Sequence, residues 1–196
     1  MKNRHTMDDN RSDILPCQER AAYYLAGQAV VALRESLEIL RIVMDDKGDG
    51  SDWIEVLQPD FSKSRLSKSV GARSDAKAVI RAWLAGPATE SRYMFGTCPS
   101  DHPLPDFSLA DDDLIENEAV WRAISLAGKI SSDSTLLVHS LWRRVNSLIQ
   151  GDDIWPAIDA VAKALLINGE LAGCEVRDIA RYAMSGNGQD ARDIPA

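Results

Sequence analysis

The sequence predicts a mainly α protein of the α+β class, with several helices and a small β-hairpin or short sheet. Five stretches repeat apolar residues at three- and four-residue spacing, which is the periodicity of amphipathic helices. Between the first two stretches, β-branched runs flank a turn rich in Gly and Asp, which is typical of a hairpin. With 196 residues, 45% of them hydrophobic, the chain is long enough for one domain with a buried core.

The first helix is predicted over residues 19–35, and the rest of the domain is arranged around it. Arg20 and Arg34 fall on the face left to water. Gly27 interrupts the pattern, and Gly in a helix interior costs about 1 kcal/mol relative to Ala. We therefore expect another segment to pack closely against the helix at Gly27. The apolar face consists of Ala22, Leu25, Ala26, Ala29, Val30 and Leu33.

Residues 37–43 and 53–57 are predicted to be the two strands of the hairpin, joined by a Gly- and Asp-rich turn at residues 45–50. The first of these runs could also extend the helix. Residues 58–71 are polar and are predicted to form a loop.

A second helix is predicted to begin at Ser74 and to continue into residues 84–90. Residues 97–107 contain three Pro, which predicts irregular structure. Cys98 and His102 lie four residues apart in this segment. No second ligand pair with matching spacing accompanies them, so they do not predict a metal site.

Three further helices are predicted in the second half of the chain. The first begins near residues 108–113. This segment contains Ser108 and three consecutive Asp residues at 111–113, and both residue types are favoured at a helix N-terminus. The second covers residues 132–149, with Arg143 and Arg144 outside and His139 at the surface or packed. Gly151, Asp152 and Asp153 are predicted to link and cap the last helix. The five Trp residues lie mostly at core-facing spacing; they are Trp53, Trp83, Trp121, Trp142 and Trp155.

Charge and composition exclude several classes of partner. The formal net charge of −8 argues against nucleic acid, since binding to phosphates requires clustered Lys and Arg. No apolar run approaches the roughly 20 residues needed to span a bilayer, so no membrane insertion is expected. The start lacks the apolar core of a signal peptide, and the three Cys residues are widely spaced. We therefore expect a cytoplasmic protein with reduced thiols, a domain over residues 16–183, and disordered tails at residues 1–15 and 184–196.

Residues 22–32 have the sequence AYYLAGQAVVA, which resembles the zinc-site helix of the FtsH-type peptidases, the ATP-dependent zinc proteases. The family pattern is A-Y-H-E-A-G-H-A, followed by two hydrophobic residues and Ala. Eight of the eleven positions agree. The three that differ are Tyr24, Leu25 and Gln28, which stand in place of the first His, the Glu and the second His.

These three differences fall at the positions that bind zinc and act as general base in the family. In an H-E-x-x-H helix the two His bind one zinc ion, and the Glu acts as general base. A phenol with a pKa of about 10 and a carboxamide are poor zinc ligands, and Leu25 cannot transfer a proton. The resemblance therefore implies a peptidase-like domain that has lost its catalytic residues, with no cofactor expected.

Three later segments also resemble the family, so that the resemblance spans about residues 19–183. Residues 84–90, LAGPATE, are similar to an L-A-G-x-A-A-E segment that packs small residues close to the zinc helix. Asp113 matches the Asp of the family that opens a helix and is the third zinc ligand, and Asp112 is one position away. Three Asp residues at a helix start are equally favoured by the helix dipole. Residues 164–176 resemble the closing segment of the family.

The ATPase module of the family needs a G-x-x-x-x-G-K-[ST] loop to bind phosphates, and this sequence has none. The full-length proteases also carry a membrane anchor, which is missing as well. We therefore expect a freestanding peptidase-like domain.

The resulting hypothesis is a pseudopeptidase that acts as a binding or regulatory module for a peptide or protein partner, with its oligomeric state open. In the vacant site, we expect Tyr24 and Gln28 to bond to Asp112 or Asp113, to each other or to water, while Leu25 fills space. One alternative is an active zinc metallopeptidase with non-standard ligands, drawn from His102, His139 and the cysteines. The other is an unrelated helical protein-interaction domain.

Overall fold

The structure is a computed structural model that describes residues 11–44, 53–56, 70–96 and 118–185, with side chains over residues 18–44, 70–96 and 118–185. This part of the chain is mainly helical with a small antiparallel sheet, which confirms the predicted fold class. In chain order the elements are α1 (Arg11–Arg34), β1 (Ile39–Val43), β2 (Trp53–Val56), α2 (Val70–Phe95), α3 (Glu118–Ile130), α4 (Ser134–Ile149), α5 (Trp155–Asn168), β3 (Glu170–Ala172) and α6 (Gly173–Met184).

The helices α1 and α2 form the centre of the molecule and run antiparallel. Arg20 of α1 pairs with Glu90 near the end of α2, while Glu35, just after α1, pairs with Arg81 in the middle of α2. The apolar face predicted for α1 is buried apart from Leu33, which is partly exposed. Both helices are longer than predicted: α1 begins at Arg11 and α2 at Val70.

The remaining helices pack around this pair. α3 and α4 both contact α2, and they also contact each other, whereas α5 packs against α1. α6 contacts α5, α1 and β1. The shared core is therefore mainly apolar and lies between the helices and β1. Its largest fully buried side chains are Leu25, Ile42, Ile80, Leu84, Ile149, Ile154, Ile158 and Leu165.

The predicted hairpin is present, so the run after α1 is a strand and not a helical extension. β1 pairs antiparallel with β2, with Ile42 opposite Ile54 and Val43 opposite Trp53. The sequence did not predict β3, which pairs antiparallel with the other side of β1 and gives the strand order β2-β1-β3. α5 ends because Gly169 adopts a left-handed conformation with φ 71°, and its N–H bonds the carbonyl of Leu165.

Three of the four Trp side chains that the structure describes lie in or against the core, as predicted, whereas the cap predicted for the last helix is wrong. Trp121 is 42% exposed, because the buried face of α3 is formed by residues 119, 123 and 126 on the other side of the helix. Trp142 is buried as predicted, whereas Trp83 and Trp155 are only partly buried. The residue that caps α5 is Ile154, with Pro156 in the first turn and no side-chain hydrogen bond, so Asp153 does not cap this helix.

The described helices include none that is both long and apolar enough to cross a membrane. The side chain of Trp53, the turn at residues 45–50, the loop at 58–69, the predicted irregular segment 97–107 and most of the C-terminal tail lie outside the described side chains or residues.

Candidate functional site

The three positions at which the sequence differs from the peptidase pattern lie on α1, where Tyr24 and Gln28 contact α2. Leu25 is 2% exposed and belongs to the apolar core. Gln28 is 6% exposed, and it is one of the few polar side chains buried in the described part of the chain. Tyr24 is partly buried and packs against the same core. Leu25 therefore fills space, as the sequence predicted.

The amide of Gln28 is bound to the backbone of α2. Its Nε2 donates to the carbonyl oxygen of Trp83 at 3.4 Å, a long and weak hydrogen bond. The sequence had predicted an aspartate, Tyr24 or water as the partner. The peptide carbonyl of Trp83 carries no side-chain signal in the sequence, which is why this partner was missed.

Gly27 explains why the two helices approach so closely beside Gln28. A methyl group at Gly27 would lie 2.0 Å from Oγ1 of Thr89 and 2.9 Å from the carbonyl oxygen of Ala85. Real Cβ atoms do not come this close to other atoms, so only Gly fits between these groups. The close packing expected at Gly27 is confirmed, and its partner is the 84–90 segment of α2.

Tyr24 makes the reciprocal contact with α2. A methyl group at Gly86 would lie 2.7 Å from the ring of Tyr24, at Cζ. The phenol ring therefore lies directly over the backbone of Gly86. Together, Gly27 and Gly86 allow each helix to receive a side chain of the other, which is a tight form of helix packing.

The surroundings of Tyr24 keep its hydroxyl protonated. Burial raises the pKa of the phenol most, the carboxylates of Glu90 and Glu118 raise it further, and Arg122 acts in the opposite direction. A phenolate would be the form that binds a metal ion, and this site disfavours it. The three positions thus offer a neutral phenol, an alkyl group and an amide whose N–H already has a partner.

Asp112 and Asp113, the predicted third-ligand positions, lie outside the described residues. Glu118, at the start of α3, is close enough to Tyr24 for its charge to act on the phenol. α1 and α3 both pack against α2. The charge of Glu118 therefore acts on Tyr24 from the start of α3.

The alternative metal ligands do not assemble in the described part of the chain. His139 is exposed on α4, and Cys174 is an exposed free thiol at the start of α6. No group of three or more His, Cys, Asp or Glu among the described residues could hold a metal ion. Cys98, His102 and the side chain of Cys17 lie outside those residues.

An aromatic cluster that the sequence did not predict joins α1, α2 and α5. The ring of Tyr23 stacks on Tyr93 at 4.1 Å and on Trp155 at 5.8 Å between centroids. The guanidinium of Arg92 lies over Trp155 at 4.3 Å. The hydroxyl of Tyr23 donates to Oδ1 of Asp159 at 2.6 Å. These residues are far apart in sequence, so no local pattern identifies the cluster.

Burial and the carboxylate of Asp159 raise the pKa of the Tyr23 phenol. The pKa of Tyr93 is also raised, chiefly because its hydroxyl donates to Glu19. Both phenols stay neutral, and each donates to a carboxylate on another helix. The cluster therefore joins helices through stacked rings and hydrogen bonds.

No protein-family model matches this sequence, and no curated protein matches it either.

Proposed function

We propose that this protein is a catalytically inactive zinc-metallopeptidase-like domain of the FtsH type, which acts as a binding or regulatory module for a peptide or protein partner. The observation that carries the proposal is the burial of Leu25 at the position of the general base. A metallopeptidase must take a proton from a metal-bound water, and an alkyl group cannot do so.

The environments of Tyr24 and Gln28 support the same proposal. The raised pKa of Tyr24 disfavours the phenolate, and the amide of Gln28 is engaged with Trp83. Both side chains contribute to the contact between α1 and α2. A site whose ligand positions serve helix packing is suited to a scaffold and unsuited to hydrolysis.

A cytoplasmic location belongs to this proposal. Its support is the wide spacing of the three Cys residues and the free thiol of Cys174. Unpaired cysteines persist in a reducing compartment.

The first experiment measures metal and activity in the unmodified protein. Protein purified without chelator is analysed for zinc and then incubated with fluorescently labelled casein, an unfolded substrate. We expect far less than one zinc per chain and no cleavage, with binding detected as an increase in fluorescence anisotropy. About one zinc per chain, together with cleavage that a chelator stops, would overturn the proposal in favour of an active peptidase.

A second experiment tests the resemblance to the peptidases. The variant Tyr24→His/Gln28→His restores both imidazoles and leaves Leu25 in the core, which avoids burying a carboxylate. We expect this variant to take up zinc, and the added substitution Asp113→Ala to abolish the uptake. A folded variant that takes up no zinc would favour the unrelated interaction domain.

A further inference from the structure

A groove on the surface lies between the C-terminal half of α4, the end of α1 and the turn before α5. Its volume is about 330 Å³. The α4 residues that line it are Arg144, Ser147 and Leu148, and Gly151 follows at the same helical spacing, so they form one stripe. The other described residues that line it are Arg34, Asp153 and Ile154.

Two guanidinium groups face this groove in a protein of strongly acidic composition. Arg34 and Arg144 are exposed, and neither forms an ion pair with a carboxylate within the described ranges. Arg34 lies in the last turn of α1, where the helix dipole favours a cation. That effect is worth less than a full countercharge, so both guanidinium groups remain able to bind an anionic group.

The chemistry of the groove indicates the ligand. A guanidinium has donors in a planar fork that matches the two oxygens of a carboxylate. Asp153 adds a negative charge on the same groove, which suits an ammonium group and opposes a phosphate dianion. The partly exposed side chain of Leu148 adds apolar surface. The net charge of −8 disfavours approach of an acidic macromolecule but does not penalise a neutral zwitterion.

We propose that this groove binds a free α-amino acid with an apolar side chain. The carboxylate lies between Arg34 and Arg144, the ammonium group faces Asp153, and the side chain contacts Leu148. The volume of about 330 Å³ accommodates a ligand of this size. The groove is separate from the contact of Tyr24 and Gln28 with α2, so this binding does not depend on the function proposed above.

The probe for the test is L-leucine, titrated into the full chain by isothermal calorimetry. We expect one site with a dissociation constant between about 10 μM and 1 mM, as for a small ligand with two charged contacts. N-acetyl-L-leucine lacks the ammonium group and L-leucinamide lacks the carboxylate, and each should bind at least about tenfold more weakly. No saturable binding at roughly 10 mM leucine would overturn the proposal. Equal binding of N-acetyl-L-leucine would overturn the zwitterion in favour of a simple anion site.

Variants identify the groove as the place of binding. Arg144→Gln and Asp153→Asn should each weaken leucine binding at least about tenfold. In Asp153→Asn, the preference for leucine over N-acetyl-L-leucine should disappear as well. Arg143→Gln is the matched control, because Arg143 is exposed on α4 but does not line the groove. All three are exposed side chains, and circular dichroism verifies that the variants are folded. An equal loss in Arg143→Gln, or no loss in Arg144→Gln, would contradict the assignment.

Discussion

Gly27 has no room for a methyl group, because Oγ1 of Thr89 and the carbonyl of Ala85 occupy that space. We predict that Gly27→Ala lowers the free energy of unfolding by about 1–3 kcal/mol, as overpacking of a core does. The gain in helix propensity, about 1 kcal/mol, offsets only part of this cost. Urea denaturation followed by circular dichroism measures the change.

Gly128 provides the control for Gly27. It lies in α3 and is exposed, and nothing lies within 4 Å of the position that its methyl group would take. Gly128→Ala should therefore stabilise the protein by about 0.4–1 kcal/mol. If both substitutions shifted stability in the same direction, the close contact at Gly27 would not be the cause.

The contact of Tyr24 with Gly86 joins two elements and can be measured as a coupling. Gly86→Ala should destabilise the protein, because the new methyl group meets the Tyr24 ring. In a Tyr24→Leu background the same substitution should cost less, with a coupling energy of about 0.5–3 kcal/mol in a double-mutant cycle. Additive effects of the two substitutions would show that the ring does not lie over Gly86.

Arg92 ties the end of α4 to α2 and α5. Its Nη1 donates to the carbonyl of Ile149 and, at 3.5 Å, to that of Gly151, while the guanidinium covers Trp155. Arg92→Lys keeps the charge but loses the planar fork, and we predict a loss of about 1–2 kcal/mol in the free energy of unfolding.

The control for Arg92 is Arg143→Lys on the exposed face of α4, which should change stability by less than about 0.5 kcal/mol. In Arg92→Lys, but not in Arg143→Lys, amide hydrogen exchange should become faster in the last turn of α4. Unchanged exchange there would mean that the guanidinium does not hold this end of the helix.

The stability of the whole molecule should decrease in alkaline solution. Burial and the Asp159 carboxylate raise the pKa of Tyr23 in the folded protein above the value of about 10 expected in the unfolded chain. The unfolded chain therefore loses this proton first as the pH rises. The stabilisation is complete below about pH 10 and is lost above it.

Tyr23→Phe tests this dependence. At pH 7 the variant should be less stable by about 1.5–3 kcal/mol, because it lacks the hydrogen bond to Asp159. Above about pH 10 the difference from the unmodified protein should narrow, by up to about 1.4 kcal/mol per pH unit and less where water screens the phenol. Urea denaturation between pH 7 and 11 measures it, and a difference independent of pH would contradict the raised pKa.

The elements and their buried faces could be predicted because they depend on local periodicity. The apolar residues of α1 and α5, the hairpin and the close approach at Gly27 all follow from the spacing of side chains along one segment. β3 could not be predicted, because a strand of three residues has little periodicity and exists only by pairing with β1. The exposure of Trp121 was missed because the sequence groups it with the other apolar residues of its helix, whereas the buried face of α3 lies on the opposite side.

By itself, the sequence determined that this protein is helical, that Gly27 faces another backbone, and that residues 24, 25 and 28 carry a phenol, an alkyl group and a carboxamide. A phenol and a carboxamide are poor zinc ligands, and an alkyl group does not transfer a proton. These are properties of side-chain chemistry and spacing. Only the tertiary structure decided which groups meet: Gln28 with the carbonyl of Trp83, Tyr23 with Tyr93 and Trp155, and the guanidinium groups of Arg34 and Arg144 at one groove. Such contacts join residues distant in sequence, and they depend on the packing of several helices at once.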